Sequence, residues 1–189
     1  MGLLRYRTAD GRLRFWTLKE IIQGRSIQRV THPVFVVFPI AFASGALLLD
    51  VLSRFALPGA PLAASYAMLG AVGGAFFSII TGLVDRSVMR PGSKIRSVAT
   101  RHMIIQLTAT AIFVVDLAVR WSDRKMAKAD PLWLVLDAVG LLTVLLGGDV
   151  GASMVFRMGY RVQETGPDPA ATAPMPGAAT AASGSDESI

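Results

Sequence analysis

The sequence contains no cysteine among its 189 residues and only two histidines, His32 and His102. Without a thiol the chain can form no disulfide, no thiolate zinc site, no all-cysteine iron–sulfur cluster and no covalent attachment of a c-type haem. Charged residues make up 17% of the chain, against about 25% in a typical soluble domain. These shortages leave imidazoles, carboxylates and hydroxyls as the available chemical groups.

Hydrophobic residues, at 52% of the chain, are concentrated in four blocks at residues 33–52, 62–84, 102–120 and 132–156. Each block is near or above the roughly 17–25 residues that a helix needs to cross a hydrocarbon core of about 30 Å. The sequence therefore predicts an all-α protein, a polytopic membrane four-helix bundle formed by residues 31–162.

The two ends of the chain differ from this bundle in composition. Residues 1–30 carry seven Lys or Arg and no apolar run, so we expect a basic cytoplasmic or interfacial arm that is not a cleaved signal peptide. Residues 163–189 are rich in Ala, Pro, Gly, Ser and Thr and have no hydrophobic periodicity. They are predicted to form a disordered cytoplasmic tail.

The distribution of basic residues predicts the orientation. Fourteen of the nineteen Lys and Arg lie before the first block, between the second and third, or after the fourth. By the positive-inside rule, both termini face the cytoplasm across a bacterial inner membrane. The net charge of +6 then reflects the orientation of the chain in the membrane. The lipid bilayer is an expected partner, and nucleic acid is not.

Several polar side chains lie inside the predicted spans, where burial in lipid would be costly. Helical spacing places His32 and Asp50 on one face of the first span, and places His102, Gln106 and Asp116 on one face of the third. These faces should point into the bundle, as should Asp137 in the fourth span. Asp50 and Asp116 each precede an arginine by four residues, which predicts two helix-spaced ion pairs with snorkelling arginines.

The two halves of the chain share a pattern. The first and third spans each begin with a histidine and end with Asp-x-x-x-Arg, and the second and fourth each contain Ala-Val-Gly and finish with an acid. A duplicated two-helix hairpin is the hypothesis that follows, with the repeats related by an axis along the membrane normal. Such an axis would bring the two histidines together at one depth.

Four functions are compatible with these groups. Two imidazoles from two helices can ligate a haem b, with His32 and His102 as axial ligands. Adding Asp85 and Asp149 gives a set of nitrogens and carboxylates that suits a divalent metal instead. The same groups could serve small-solute or proton transport, or could only lock the helices of a structural subunit together. No serine has a base at obvious reach and no phosphate-binding loop is present, so an enzyme is not indicated beyond an electron-transfer subunit.

One combination of motifs resembles a known family. These motifs are His32-Pro33 and Phe38-Pro39 in the first span, Gly82-Leu83-Val84-Asp85 ending the second, His102 in the third, and Gly147-Gly148-Asp149-Val150 in the fourth. Together they resemble the bacterial domain-of-unknown-function 2231 family of four-span membrane proteins, over about residues 30–162. The chain departs from that pattern by having Asp149 where Glu is common and one His-Pro pair where many members have two.

The resemblance implies a four-span fold but no established activity. Some members resemble the membrane half of proteins that also hold a Rieske-type ferredoxin domain, which favours redox chemistry. We therefore expect an integral inner-membrane protein that is a haem b or metal-binding redox-linked subunit. A redox protein or a membrane complex is the expected partner, and a homo-oligomer is compatible with the sequence. The alternatives are a cofactor-free structural subunit and a transporter.

Overall fold

The computed structural model describes residues 5–8, 10–27 and 31–162. The predicted tail and part of the predicted arm lie outside these residues. The described arm holds two short antiparallel strands, β1 (Arg5–Arg7) and β2 (Leu13–Phe15), then a short helix α1 (Leu18–Ile22) and a 3-10 turn (Arg25–Ile27). The long helices are α2 (His32–Phe55), α3 (Ala60–Ser87), α4 (Lys94–Arg120) and α5 (Pro131–Phe156).

The arm is more ordered than the sequence predicts. Gly11, at φ +83°, turns β1 back onto β2, and Tyr6 stacks on Trp16 with ring centroids 4.1 Å apart. Thr17 caps α1 in a reciprocal capping box with Glu20, and the hydrogen bond from the Thr17 backbone N–H holds the pKa of that carboxyl below its ordinary value. The arm therefore contains a hairpin and a short helix, where the sequence predicted only a basic cytoplasmic or interfacial segment.

Local sequence sets where the long helices begin. Pro33 and Pro131 occupy first-turn positions of α2 and α5, where the missing N–H costs nothing. The Asp130 side chain accepts a hydrogen bond from the Leu132 N–H at the start of α5, and Ser93 caps α4. Because of that serine cap, α4 begins at Lys94 rather than at residue 102, so its first turns are polar.

All four helices are long and apolar enough to cross a membrane. α2 packs mainly against α3 and α4 mainly against α5, and the two hairpins meet through the α3–α4 and α2–α5 contacts. This confirms the predicted all-α membrane bundle, and the pairing agrees with two repeated hairpins. We call the end where α2 begins the histidine end, and the end where α2 and α4 finish the arginine end.

Small residues line the inward face of α3. The buried face of α3 is composed largely of small side chains, among them Ala64, Ser65, Ala71, Gly74, Ala75 and Ser78. Large apolar side chains such as Phe76 and Phe77 on the same helix are exposed at the outer surface of the bundle. Close approach of helix backbones, rather than interdigitated large side chains, therefore holds α2 against α3.

Candidate functional site

The two histidines meet at the histidine end of the bundle. His32, in the first turn of α2, and His102, in the third turn of α4, have ring centroids 6.3 Å apart and planes at 89° to one another. Both side chains are half-buried. The sequence interpretation that placed the two imidazoles at one depth thus agrees with the structure.

Hydrogen bonds fix the orientation of both rings through the same atom. His102 Nδ1 lies 2.7 Å from the Gly147 carbonyl oxygen, which can only accept. His32 Nδ1 lies 3.1 Å from Thr81 Oγ1, whose own proton is directed to the Phe77 or Ser78 carbonyl oxygen. We therefore assign the Nδ1 proton to both neutral rings, which leaves a lone pair on each Nε2.

The side-chain hydrogen bonds that the structure shows for the two rings both involve Nδ1 and not Nε2. Metal-bound histidines typically donate their second N–H to a carbonyl or another acceptor, which fixes the tautomer and orients the ring. Both imidazoles here are held in that way. Because the ring centroids are 6.3 Å apart, both Nε2 atoms belong to the same region of the histidine end.

A glycine faces each imidazole from the neighbouring helix. A Cβ at Gly82 would lie 3.0 Å from His32 Cε1, and a Cβ at Gly151 would lie 2.9 Å from His102 Cε1. The two rings therefore occupy equivalent positions in the two hairpins, each against a place where a larger residue would displace it. This equivalence supports the duplicated-hairpin hypothesis.

Gln106 lies one turn along α4 from His102 and does not extend the histidine cluster toward the other end. Its Nε2 donates to the Val144 carbonyl oxygen at 3.2 Å. Beyond it lies a layer of buried apolar side chains contributed by all four helices, which we call the apolar layer: Ala43, Ala46, Met68, Ala71, Ala109, Phe113 and Val144. The apolar layer separates Gln106 from Asp116, so the described side chains form no continuous polar path along α4.

At the arginine end, one guanidinium binds three carboxylates, and all four side chains are fully buried. Arg120 Nη1 lies 2.9 Å from Asp50 Oδ2 on α2. Arg120 Nη2 lies 2.9 Å from Asp116 Oδ2 on α4 and 3.1 Å from Asp137 Oδ1 on α5. The Trp133 ring covers the guanidinium, with Cζ 5.3 Å from the ring centroid. We call these four residues the arginine cluster.

The arginine cluster corrects one sequence prediction and confirms another. Asp116 pairs with Arg120 four residues later, as predicted, but Asp50 does not pair with Arg54. Arg54 is exposed and donates to the Ala129 carbonyl oxygen at 2.9 Å. Arg120 is also not a snorkelling anchor, because it is completely buried among three acids.

The acids assigned to the metal alternative lie apart from one another. Asp85 pairs with Arg161, with Nη2 2.9 Å from Oδ1, whereas Asp149 is exposed beside Arg157 in a shallow cavity at the end of α5. Among the described residues, no group of three or more His, Asp or Glu is placed to hold a metal ion. Arg161 was not anticipated from the sequence, since it lies past the end of α5 and 76 positions from its partner.

The four apolar helices and their two buried polar clusters define a polytopic α-helical membrane protein. A family model described as "Predicted membrane protein (DUF2231)" matches residues 29–164, and the chain belongs to that family. The resemblance drawn from the sequence motifs is thereby confirmed. No curated protein and no solved structure matches the chain.

Proposed function

We propose that the bundle binds one haem b between His32 and His102 and acts as an electron-transfer subunit of the inner membrane. The observation that carries the proposal is the pair of imidazoles anchored through Nδ1, which leaves a lone pair on each Nε2. A haem with two imidazole ligands supplies one-electron transfer. A redox protein is then the partner class, with contact on the side of the membrane that the histidine end faces.

The spacing of the rings is compatible with this ligation. A metal–imidazole bond is about 2 Å long, so two imidazoles on opposite sides of one metal have ring centroids about 6 Å apart. The centroids here are 6.3 Å apart. The perpendicular ring planes are compatible with ligation, since the planes of two imidazoles that bind one metal need not be parallel.

Contacts elsewhere in the bundle favour haem binding over the divalent-metal site and over transport. The divalent-metal alternative needs Asp85 and Asp149, and Asp85 is engaged by Arg161. Transport along α4 needs a polar path, and Ala109 and Phe113 occupy that position in the apolar layer. A cofactor-free structural subunit is the second candidate, favoured by the arginine cluster, which ties α2, α4 and α5 together.

The test is an oxidised-minus-reduced absorbance spectrum of the full chain, expressed with haem available and purified in mild detergent. We expect a Soret shift and a reduced α-band in the wild type, with loss of the signal in both His32→Ala and His102→Ala. Each substitution removes one of the two Nε2 ligands. Gln106→Ala is the matched control, since it removes a polar side chain one turn from His102 without removing a ligand, and it should retain the spectrum.

A well-folded wild-type protein without the haem signal would refute the proposal and leave the structural subunit as the function to pursue. Retention of the full spectrum in either histidine variant would also refute it. Because an alanine variant can fail to fold, His102→Met provides a second measurement. Methionine is itself a haem ligand, and a His/Met pair should keep the haem with a higher reduction potential than the wild type.

A further inference from the structure

The arginine cluster contains more acid than its base can neutralise. Three carboxylates face one guanidinium, so four ionised side chains would carry a net charge of −2. All four are fully buried in a membrane-spanning bundle, where an uncompensated charge is strongly disfavoured. Some positive species must balance this charge.

Among the described residues, Arg120 is the one base in ion-pair contact with these carboxylates, and Arg124, Lys125 and Lys128 in the loop after α4 form no ion pair with them. α2 contributes Asp50, α4 contributes Asp116 and Arg120, and α5 contributes Asp137. On α3, the segment from Ala60 to Val84 contains no Lys, Arg or His, and its one phenol, Tyr66, is exposed beside Trp121. Arg54, the nearest arginine on α2, is directed to the Ala129 carbonyl oxygen.

Unpaired oxygens in the cluster indicate where the balancing species binds. Asp50 Oδ1 and Asp137 Oδ2 are buried and have no hydrogen-bond partner among the described residues. Asp50, Asp116 and Asp137 each lie 2.9–3.1 Å from the same guanidinium, which also brings their carboxyls close to one another and allows carboxyl–carboxyl contacts. Two ionised carboxylates are both acceptors only, so each such contact becomes a hydrogen bond only when one partner carries a proton.

We propose that the arginine cluster is a proton-binding site that holds two protons on Asp50, Asp116 and Asp137 at neutral pH. Two protonated carboxyls become donors to their neighbours, and the remaining negative charge is balanced by Arg120. A metal cation fits the same oxygens less well, because the guanidinium lies 2.9–3.1 Å from all three carboxyls and would repel it. The site is independent of the proposed haem, since the apolar layer lies between them.

Infrared absorption of the full-length wild type tests this directly, because a protonated carboxyl has a carbonyl band that an ionised one lacks. We expect that band at pH 7, with a shift in D₂O. Asp137→Asn should remove about half of its area, since it replaces one of two protonated groups while keeping a side-chain donor. Asp50→Asn should likewise reduce the band. Bands common to all samples cancel in the difference between wild type and variant.

Two aspartates outside the arginine cluster provide matched control variants. Asp85 is paired with Arg161 and Asp149 is exposed, so Asp85→Asn and Asp149→Asn should leave the band unchanged. Absence of the band in folded wild type would overturn the proposal, and so would a band that Asp137→Asn and Asp50→Asn leave intact.

Discussion

Replacing Arg120 by alanine is expected to lower the free energy of unfolding by about 3–5 kcal/mol, the cost typical of removing one partner from a buried ion pair. The substitution leaves three buried carboxyls without their only base and opens a cavity beside Trp133. Uptake of a further proton would relieve the charge but not the lost hydrogen bonds. The measurement is the unfolding transition in detergent, followed by circular dichroism.

Arg54→Ala is the matched control for this prediction. Arg54 and Arg120 each follow an aspartate by four residues in α2 and α4, but Arg54 is exposed and makes one hydrogen bond to a backbone carbonyl. Its loss should cost about 1 kcal/mol. Equal destabilisation by the two substitutions would mean that the arginine cluster contributes no more than an interfacial hydrogen bond, contrary to the argument above.

Gly74→Val is expected to separate α2 from α3 and to destabilise the protein by about 1–3 kcal/mol or more, as overpacking of a close contact does. A Cβ at Gly74 would lie 2.6 Å from Phe38 Cβ and 3.2 Å from the Pro39 backbone nitrogen. These atoms belong to or adjoin the backbone of α2, so they cannot move aside by a change of rotamer. Detergent unfolding of the purified variant measures the loss.

The adjacent residue provides the comparison. A Cβ at Gly73 would meet nothing within 4 Å, because that residue is exposed. Gly73→Val changes the same residue type in the same turn of α3, so helix propensity is matched between the two variants. If Gly73→Val destabilised the protein as much as Gly74→Val, the effect would come from the helix itself and not from the contact with α2.

Much of this fold could be predicted because lipid imposes a simple rule on composition. A span must be apolar over its whole length, so the four blocks were visible without knowledge of packing. No such rule of composition fixes where a helix begins or ends when its terminal turns are polar. The first turns of α4 carry Lys94, Arg96 and Arg101, and only the Ser93 cap indicated that the helix starts there. The β1–β2 hairpin depends on Gly11 within a short basic segment that has no apolar periodicity.

The sequence could predict which helix faces carry the buried polar residues, but not which of those residues contact one another. The 3.6-residue period correctly placed Asp50 and Asp116 on inward faces, since both are fully buried. The same period suggested that Asp50 would pair with Arg54, whereas its partner is Arg120 on another helix. Spacing reports neighbours within a helix, but which helices meet depends on small residues and loop lengths. The contact between Asp85 and Arg161 likewise had no local signal.

The apolar layer also has an electrical consequence. Because its buried side chains are apolar, the layer has a low effective dielectric constant, so much of a transmembrane voltage falls across it. The histidine pair and the arginine cluster then lie on opposite sides of this potential drop. Moving one elementary charge between them costs about 2.3 kcal/mol per 100 mV. If the proposed haem is bound, an electron carrier at the histidine end would exchange electrons with it across little of this field, whereas a carrier on the opposite face would work against much of it.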